Sequence, residues 1–345
     1  MSKTINIAQI GAGSWGKNLL RNFSALPNTR VVTVCDSNPT VQSAVSEAYP
    51  TITTCEDPTR IFADPDIQAV VIATETPGHF SLAKEALSAG KHVFVEKPMA
   101  QTSSEASELL TLSKSMDRKL MVGHILLYHP AFEYVRNLIQ SGDLGEIYYM
   151  YSVRVNLGIV RQNENAFDSL APHDLSVALD FLGRKAVAVS AQGQAYLQPG
   201  VHDVVFATVF FEDGRLAHLH TSWLDPHKVR KVTVVGSRKM VVIDDVAGTE
   251  KVRVYDKGVD MKTEELAGVD FAAAMNLRSG DIAIPKLPFK EPLRSECEHF
   301  INAILSDTDP LSDGQNGLDV VQLLDAARRS MELGGQRIPV STESA

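Results

Sequence analysis

The sequence predicts a doubly wound parallel α/β domain followed by an open, mostly antiparallel sheet covered by helices. Three observations carry that prediction. Strand-like and helix-like segments alternate through the first 125 residues, a glycine-rich turn joins the first strand to the first helix, and beyond about residue 145 strand-like runs follow one another without helices between them. Alternation builds parallel sheets with helices on both faces, whereas strands in succession build antiparallel ones. A chain of 345 residues exceeds one usual domain, so two are expected, 1–125 and 126–345, each long enough to bury its own core.

The elements follow in order. Ile5 to Ile10 is a short apolar strand, and Gly11-Ala12-Gly13-Ser14-Trp15-Gly16 comes directly after it. Trp15, Leu19, Leu20, Phe23 and Leu26 then repeat at helical spacing as far as Pro27. Strand, glycine turn and helix in that order form the dinucleotide fingerprint of a Rossmann domain. Gly11 permits the turn, Gly13 lets the backbone approach a pyrophosphate, and Gly16 lets the helix pack on the strand while free N–H groups face the anion. A second strand, Arg30 to Cys35, ends at Asp36, where the fingerprint places an acid on the ribose hydroxyls. A carboxylate there repels a 2′-phosphate, and Ser37-Asn38-Pro39 offers no arginine to hold one, so NAD is favoured over NADP.

Ala69 to Ala73 is a further buried strand, and Thr74-Glu75-Thr76-Pro77-Gly78-His79 turns into a helix from Phe80 to Ala89. The apolar run His92-Val93-Phe94-Val95 ends in Glu96-Lys97-Pro98, which delivers a lysine to the strand ends that border the ligand crevice of such sheets. Thr102 with Glu105 makes a capping box, and Leu120 to Gly123 closes the alternation at His124. After an amphipathic helix from Ala131 to Gln140, strands are expected at Ile147–Asn156, Val187–Ala195, Val204–Phe211, Leu216–Trp223, Val229–Val235 and Met240–Ile243. Asp256 to Pro288, with weak periodicity and several Gly and Pro residues, reads as a long loop or lid. Helices from Leu293 to Leu305 and Gly317 to Leu333 finish the chain.

Composition narrows the function classes. Apolar and charged fractions of 44% and 22% are those of a soluble globular protein. A net charge of −9 argues against general nucleic-acid or anionic-membrane binding. Three scattered cysteines suit neither a disulfide framework nor a Cys-x-x-Cys metal site. No signal-type segment opens the sequence and no run approaches the ~20 apolar residues of a membrane span. A cytoplasmic protein without a metal is expected.

In the second half, Asp168-Ser169-Leu170-Ala171-Pro172-His173-Asp174 leads into an apolar helical pattern, which places His173 and Asp174 in the first turn of a helix. Oxidation of an alcohol by NAD requires a group to take the hydroxyl proton. At pH 7 an ordinary histidine (pKa ~6.5) is mostly neutral and an ordinary lysine (~10.4) mostly charged. His173 is therefore assigned as base and Lys97 as the cation that stabilises the alkoxide. The reverse remains open, because a positive nicotinamide ring lowers the pKa of a nearby lysine.

With these residues in view, the chain resembles the glucose-fructose oxidoreductase, inositol dehydrogenase and MocA family over nearly its full length. The resemblance rests on Gly11 to Gly16, Thr76-Pro77-Gly78-His79, Glu96-Lys97-Pro98 and His173. It implies a Rossmann domain joined to an open sheet that often builds dimers or tetramers, and a catalytic role for Lys97 with His173 beside it. The cofactor set becomes Gly11, Gly13, Ser14, Trp15, Gly16, Asp36, Thr74, His79, Glu96 and Lys97. The stretches Gly123 to Pro130, Arg154 to Gly158 and Leu170 to Ser176 resemble the branch that oxidises UDP-N-acetylhexosamines at C3, which implies UDP-N-acetylglucosamine or its uronate as substrate. Arg154 and Arg161 are candidates for the diphosphate, with Tyr128, His129, Asn156 and Asp174 also facing substrate. One departure stands out. Many family members carry an aspartate four residues before the histidine, and here that position is Ser169. Alternatives are an inositol, simple-sugar or deoxysugar oxidoreductase on the same fold, or a cofactor sensor without chemistry.

Overall fold

The computed structural model describes residues 4–162, 164–183, 185–261 and 275–340 and divides into two compact units, one of residues 4–129 and 290–325, the other of residues 130–289 and 326–340. The first stretch runs β1 (Ile5–Ile10), α1 (Gly16–Ser24), β2 (Thr29–Cys35), α2 (Pro39–Ala48), β3 (Thr53–Cys55), α3 (Thr59–Ala63), β4 (Ala69–Ile72), α4 (His79–Ser88), β5 (His92–Val95), α5 (Ser103–Ser115) and β6 (Leu120–Val122). These strands form a six-stranded sheet in the order β3-β2-β1-β4-β5-β6, parallel at every pairing. The order reverses between β1 and β4, and at such a switch point the carboxyl ends of the strands open a ligand crevice. Every residue of β4 is fully buried, the pattern of a strand covered on both faces. Leu19, Leu20 and Phe23 bury one face of α1, and Thr102 and Glu105 cap α5 reciprocally.

The second unit contains α6 (Pro130–Gln140), β7 (Ile147–Val155), α7 (Ala166–Leu182), β8 (Ala186–Gln194), β9 (Val204–Phe211), β10 (Leu216–Ser222), β11 (Val229–Gly236), β12 (Met240–Asp244), β13 (Val252–Met261) and β14 (Met275–Ala283). The chain ends in α8 (Pro292–Ser306), α9 (Gly314–Glu332) and β15 (Ile338–Pro339). Nine strands pair in the order β14-β13-β12-β11-β7-β10-β9-β8-β15; β7 and β10 are parallel and the other pairs antiparallel. Period-two alternation divides the faces. Met150, Ser152 and Arg154 of β7 are buried on the side of α7, whereas Tyr149, Tyr151 and, on β9, Phe206 are exposed on the other.

Three expectations change. The expected second domain, 126–345, loses residues 290–325, which pack with the parallel sheet. Phe300 of α8 meets Phe23 and Phe94 edge to face, and at the free edge of β6 the Ser312 carbonyl accepts the Val122 N–H while the Ser312 hydroxyl donates to the Val122 carbonyl. Burying that aromatic cluster and that strand edge outweighs proximity in sequence. Part of the segment read as a loop, Asp256 to Pro288, forms the strands β13 and β14; residues 262–274 of it lie outside the described chain. Cross-strand pairing supplies the order that the Gly and Pro content obscured. Finally, α7 starts well before Pro172, so His173 and Asp174 sit inside the helix and not in its first turn. Asn165 caps it, accepting from the N–H groups of Phe167 and Asp168.

Candidate active site

In the first unit the fingerprint loop closes on its own strand ends. Gly11 adopts a φ of +88°, and a side chain there would put Cβ 2.6 Å from the Ala73 carbonyl oxygen, so only glycine makes this turn. A Cβ on Gly16 would strike the Gly11 carbonyl, while above Gly13 nothing lies within 4 Å. The loop is thus tight against the sheet and open above Gly13, where a pyrophosphate would approach. Asp36 at the end of β2 accepts the Ala12 N–H through one oxygen (2.8 Å) and the Asn38 N–H through the other (2.9 Å). The N-cap of α2 is Asn38, not Asp36, which leaves Asp36 bridging strand end and loop.

The lysine turn is held from three sides. The Trp15 indole N–H donates to Glu96 Oε1 (2.5 Å), and the Lys97 N–H to Glu96 Oε2 (3.2 Å). One face of the Glu96 carboxyl lies against Gly123, where a Cβ would sit 3.0 Å from it. Burial pushes the Glu96 carboxyl up, against the Trp15 hydrogen bond and the Lys97 charge that favour its ionised form. His79, expected on the cofactor, is buried under the turn, with Nδ1 2.8 Å from the Pro98 carbonyl oxygen and Nε2 3.1 Å from that of Thr74. Both partners are acceptors, so a neutral ring satisfies one of them, and burial, then the Lys97 charge, opposes the second proton. His79 and Thr74 therefore brace the Lys97 turn with these atoms. Ser14 and Trp15 are exposed at the loop tip.

Tyr128, expected to face substrate, is buried. Its hydroxyl lies 2.9 Å from Ser312 Oγ and accepts the Ser312 N–H (3.2 Å), so the phenol secures the returning segment. His129 is half-buried beside it.

In the second unit, β7 and α7 place their polar side chains face to face. Asp174 is 1% exposed and takes Arg154 through both oxygens, Nε at 2.5 Å and Nη2 at 3.1 Å. That pairing removes Asp174 as a substrate contact and commits two Arg154 donors. Arg230, opposite Arg154 in the β7–β11 register, was not singled out from sequence. Its guanidinium donates to the Val155 and Val229 carbonyls and to Asn156 Oδ1, and it is pushed down by burial first and then by the Arg154 charge. The two basic residues that open β11, Arg230-Lys231, were the available signal. Arg161 is exposed and pairs with Glu164 at 3.0 Å. His173 is half-buried on α7. Of the two acids near it in sequence, Asp168 meets Asn165 (2.8 Å) and Arg328 (3.0 Å), and Asp174 meets Arg154. Among the described residues no cluster of His, Cys, Asp and Glu could hold a metal, and no helix is long and apolar enough to cross a membrane.

Residues 5–124 match the oxidoreductase family with an NAD-binding Rossmann fold, and residues 132–242 match the Gfo/Idh/MocA C-terminal domain. The chain belongs to the Gfo/Idh/MocA oxidoreductases. Like its family, it is an NAD-dependent dehydrogenase acting on CH–OH groups. It is similar to inositol 2-dehydrogenase of Rhizobium meliloti (27% identity over 95% of this chain and 97% of the relative) and to UDP-N-acetylglucosamine 3-dehydrogenase of Acidithiobacillus ferrooxidans (27% over 79% and 81%). The solved structure of the latter, GnnA, superposes with a TM-score of 0.80 at 24% identity, covering 96% of this chain and 99% of that one.

The residues fit the cofactor. Gly13 leaves open space above the fingerprint loop, and Asp36 carries its carboxylate from the end of β2 onto that loop, the two features a dinucleotide fingerprint requires. Trp15 and Glu96 join the fingerprint loop to the lysine turn through a hydrogen bond.

Proposed function

We propose that this dehydrogenase oxidises the C3 hydroxyl of a UDP-N-acetylhexosamine, UDP-N-acetylglucosamine or its uronate, to the 3-keto sugar. The observation that carries the substrate class is the arginine pair of β7 and β11. Arg154 and Arg230 stand opposite each other; Arg154 is forked onto Asp174, while Arg230 gives its hydrogen bonds to the neutral Val155 and Val229 carbonyls and Asn156 Oδ1, with Asp174 and Asp245 as the acids whose charges reach it. A diphosphate would give that guanidinium a charged hydrogen-bond partner. The likeness to UDP-N-acetylglucosamine 3-dehydrogenase over most of the chain supports the same class.

NAD, when bound, supplies the hydride acceptor. His173 takes the C3 hydroxyl proton, and the Lys97 ammonium donates a hydrogen bond to the oxygen as negative charge develops on it. Glu96 orients Lys97 through the backbone N–H it accepts. The enzyme works in the cytosol, as a homodimer or homotetramer joined through the open sheet face that exposes Tyr149, Tyr151 and Phe206.

A second reading, inositol oxidation, is favoured by the match to inositol 2-dehydrogenase over nearly the whole chain. Inositol carries no phosphate, so Arg230 separates the two. With UDP-sugars and NAD, following NADH absorbance, Arg230→Met should raise KM about tenfold or more, the size expected for one charge-assisted contact. Turnover of inositol but of no UDP-hexosamine would sink the proposal. Lys97→Met and His173→Ala should each lower kcat by about 10²–10⁴-fold; near-normal kcat removes the residue from the mechanism.

A further inference from the structure

Behind the lysine turn, Glu296 of α8 is fully buried, and neither of its carboxyl oxygens has a hydrogen-bond partner among the described residues. Two periodicities set its position. Phe94 and Glu96 lie two residues apart along the β5 direction and share a face, while Glu296 and Phe300 lie one helical turn apart and share a face of α8. Phe94 and Phe300 touch at a centroid distance of 5.8 Å. Glu96 follows Phe94 at the end of β5, Glu296 precedes Phe300 by one turn of α8, and the charge that reaches the buried Glu296 is that of Glu96.

The two acids are not equivalent. Glu96 has the Trp15 indole, the Lys97 N–H and the Lys97 charge to favour its ionised form. Glu296 has none of these, and burial, then the Glu96 charge, drive it well above the usual carboxylate range. The other elements around it add no compensation. Arg21 of α1 is engaged by Glu291 at the start of α8, Tyr128 by Ser312, and the neighbouring Cys297 thiol is itself pushed up by burial and by both carboxyls. His124 at the end of β6, pushed down to about 3 by burial and the Lys97 charge, is neutral. Two like acids confined in one apolar site cannot both ionise.

We propose that Glu96 and Glu296 form a buried acid pair holding one proton, with Glu296 as the proton carrier and hence a positioning residue that keeps Glu96 the carboxylate orienting Lys97. A protonated Glu296 turns from acceptor to donor and can give its O–H to Glu96. The pair stands on the geometry of the first unit alone; its consequence for Lys97 rests on the dehydrogenase reading.

Infrared difference spectra of the full-length protein, with and without NAD, test the pair apart from turnover. At pH 7 a protonated carboxylic acid band is expected that disappears in Glu296→Gln. No such band, or one that survives the substitution, overturns the proposal. Its consequence is read from the acid limb of kcat/KM. Glu296→Gln keeps a neutral donor and should leave the limb in place. Glu296→Leu removes the donor, and the limb should move to higher pH by about one unit, roughly a tenfold loss of rate on that limb. Identical profiles for the two variants reduce Glu296 to a packing residue. Thermal stability gives a further measure. A carboxyl raised above its unfolded value contributes stability fully present below about pH 4.5 and lost as pH rises. The Tm gain of Glu296→Gln should therefore be larger at pH 7 than at pH 4.5, and a gain independent of pH means that Glu296 is already ionised. If the Leu variant does not fold, the band and the Gln variant still decide.

Discussion

In the second unit Asp174 is 1% exposed and gives both carboxyl oxygens to Arg154; in the first, Glu296 is 0% exposed and meets no described donor. Burial is the same and the chemistry is opposite. A guanidinium fork replaces the water that Asp174 gives up on burial, which ties α7 to β7. An acid such as Glu296 escapes the same desolvation by holding a proton, and a proton can be moved. The contrast separates a charge used to hold elements together from an acid placed beside reactive groups.

The sharpest way to break this comparison is to remove the cation from the paired site. Arg154→Met takes the guanidinium fork from the buried Asp174 carboxyl and leaves it the Arg230 charge without those hydrogen bonds, which should cost about 3–5 kcal/mol, read from urea unfolding at pH 7. The double variant Arg154→Met, Asp174→Leu should recover most of that loss, since two apolar side chains of similar volume often serve as well as a buried pair. If the single substitution costs under about 1 kcal/mol, water reaches Asp174 and the pairing does not hold α7 in place.

How far the sequence carried the reading follows the range of the interactions. The fingerprint was legible because strand, Gly11, Gly16 and Asp36 act within one local unit, and the structure puts the Asp36 carboxylate on the Ala12 N–H. The parallel sheet came from the alternation of strands and helices, and the succession of strands from β7 to β12 from strand-like runs along the chain. Residues 290–325 were misassigned because Phe300 and Ser312 find their partners, Phe94 and Val122, about two hundred positions away, and no local pattern records that. Pro172 misled for a different reason. Proline is favoured in a first turn and costs a hydrogen bond further in, yet Asn165 was present as the better cap. Arg230 was missed because a basic residue at a strand start reads as solvated until the register sets it against Arg154. Glu296 was invisible, since burial of an acid on an amphipathic helix depends wholly on what covers it.

A middle-sized effect is expected at His124, 1% exposed with both ring nitrogens unpartnered among the described residues. A histidine whose folded pKa is depressed contributes stability present above its unfolded value of about 6.5 and lost as pH falls towards the folded value, about 1.4 kcal/mol per unit. For His124 that window runs from 6.5 down to about 3. His124→Phe should therefore stabilise the protein by about 1–3 kcal/mol at pH 7 through removal of the unmet polar atoms. The gain should widen as pH falls to 5. Thermal melts at several pH values check the sign. A loss at pH 7 would mean that the ring meets an ordered water, which places His124 with Asp174 among the satisfied groups.

The smallest effect is expected at a pair intermediate between these extremes. Arg136 of α6 gives its Nε to both oxygens of Asp180 on α7, at 3.0 and 2.7 Å, with each side chain 13% exposed. Here burial outweighs the guanidinium, and the Asp180 carboxyl lies above its usual range despite the partner. Arg136→Met should cost about 1–2 kcal/mol, less than half the cost at Arg154, because some water remains and the freed carboxyl can take up a proton. That escape sets the pH signature. The raised carboxyl binds its proton more readily in the folded state, so the penalty of the variant should shrink as pH falls from 7 to 5. Equal costs at the two sites would mean that a 1% and a 13% exposed carboxylate depend on their arginines alike, and that burial alone does not decide between holding a partner and holding a proton.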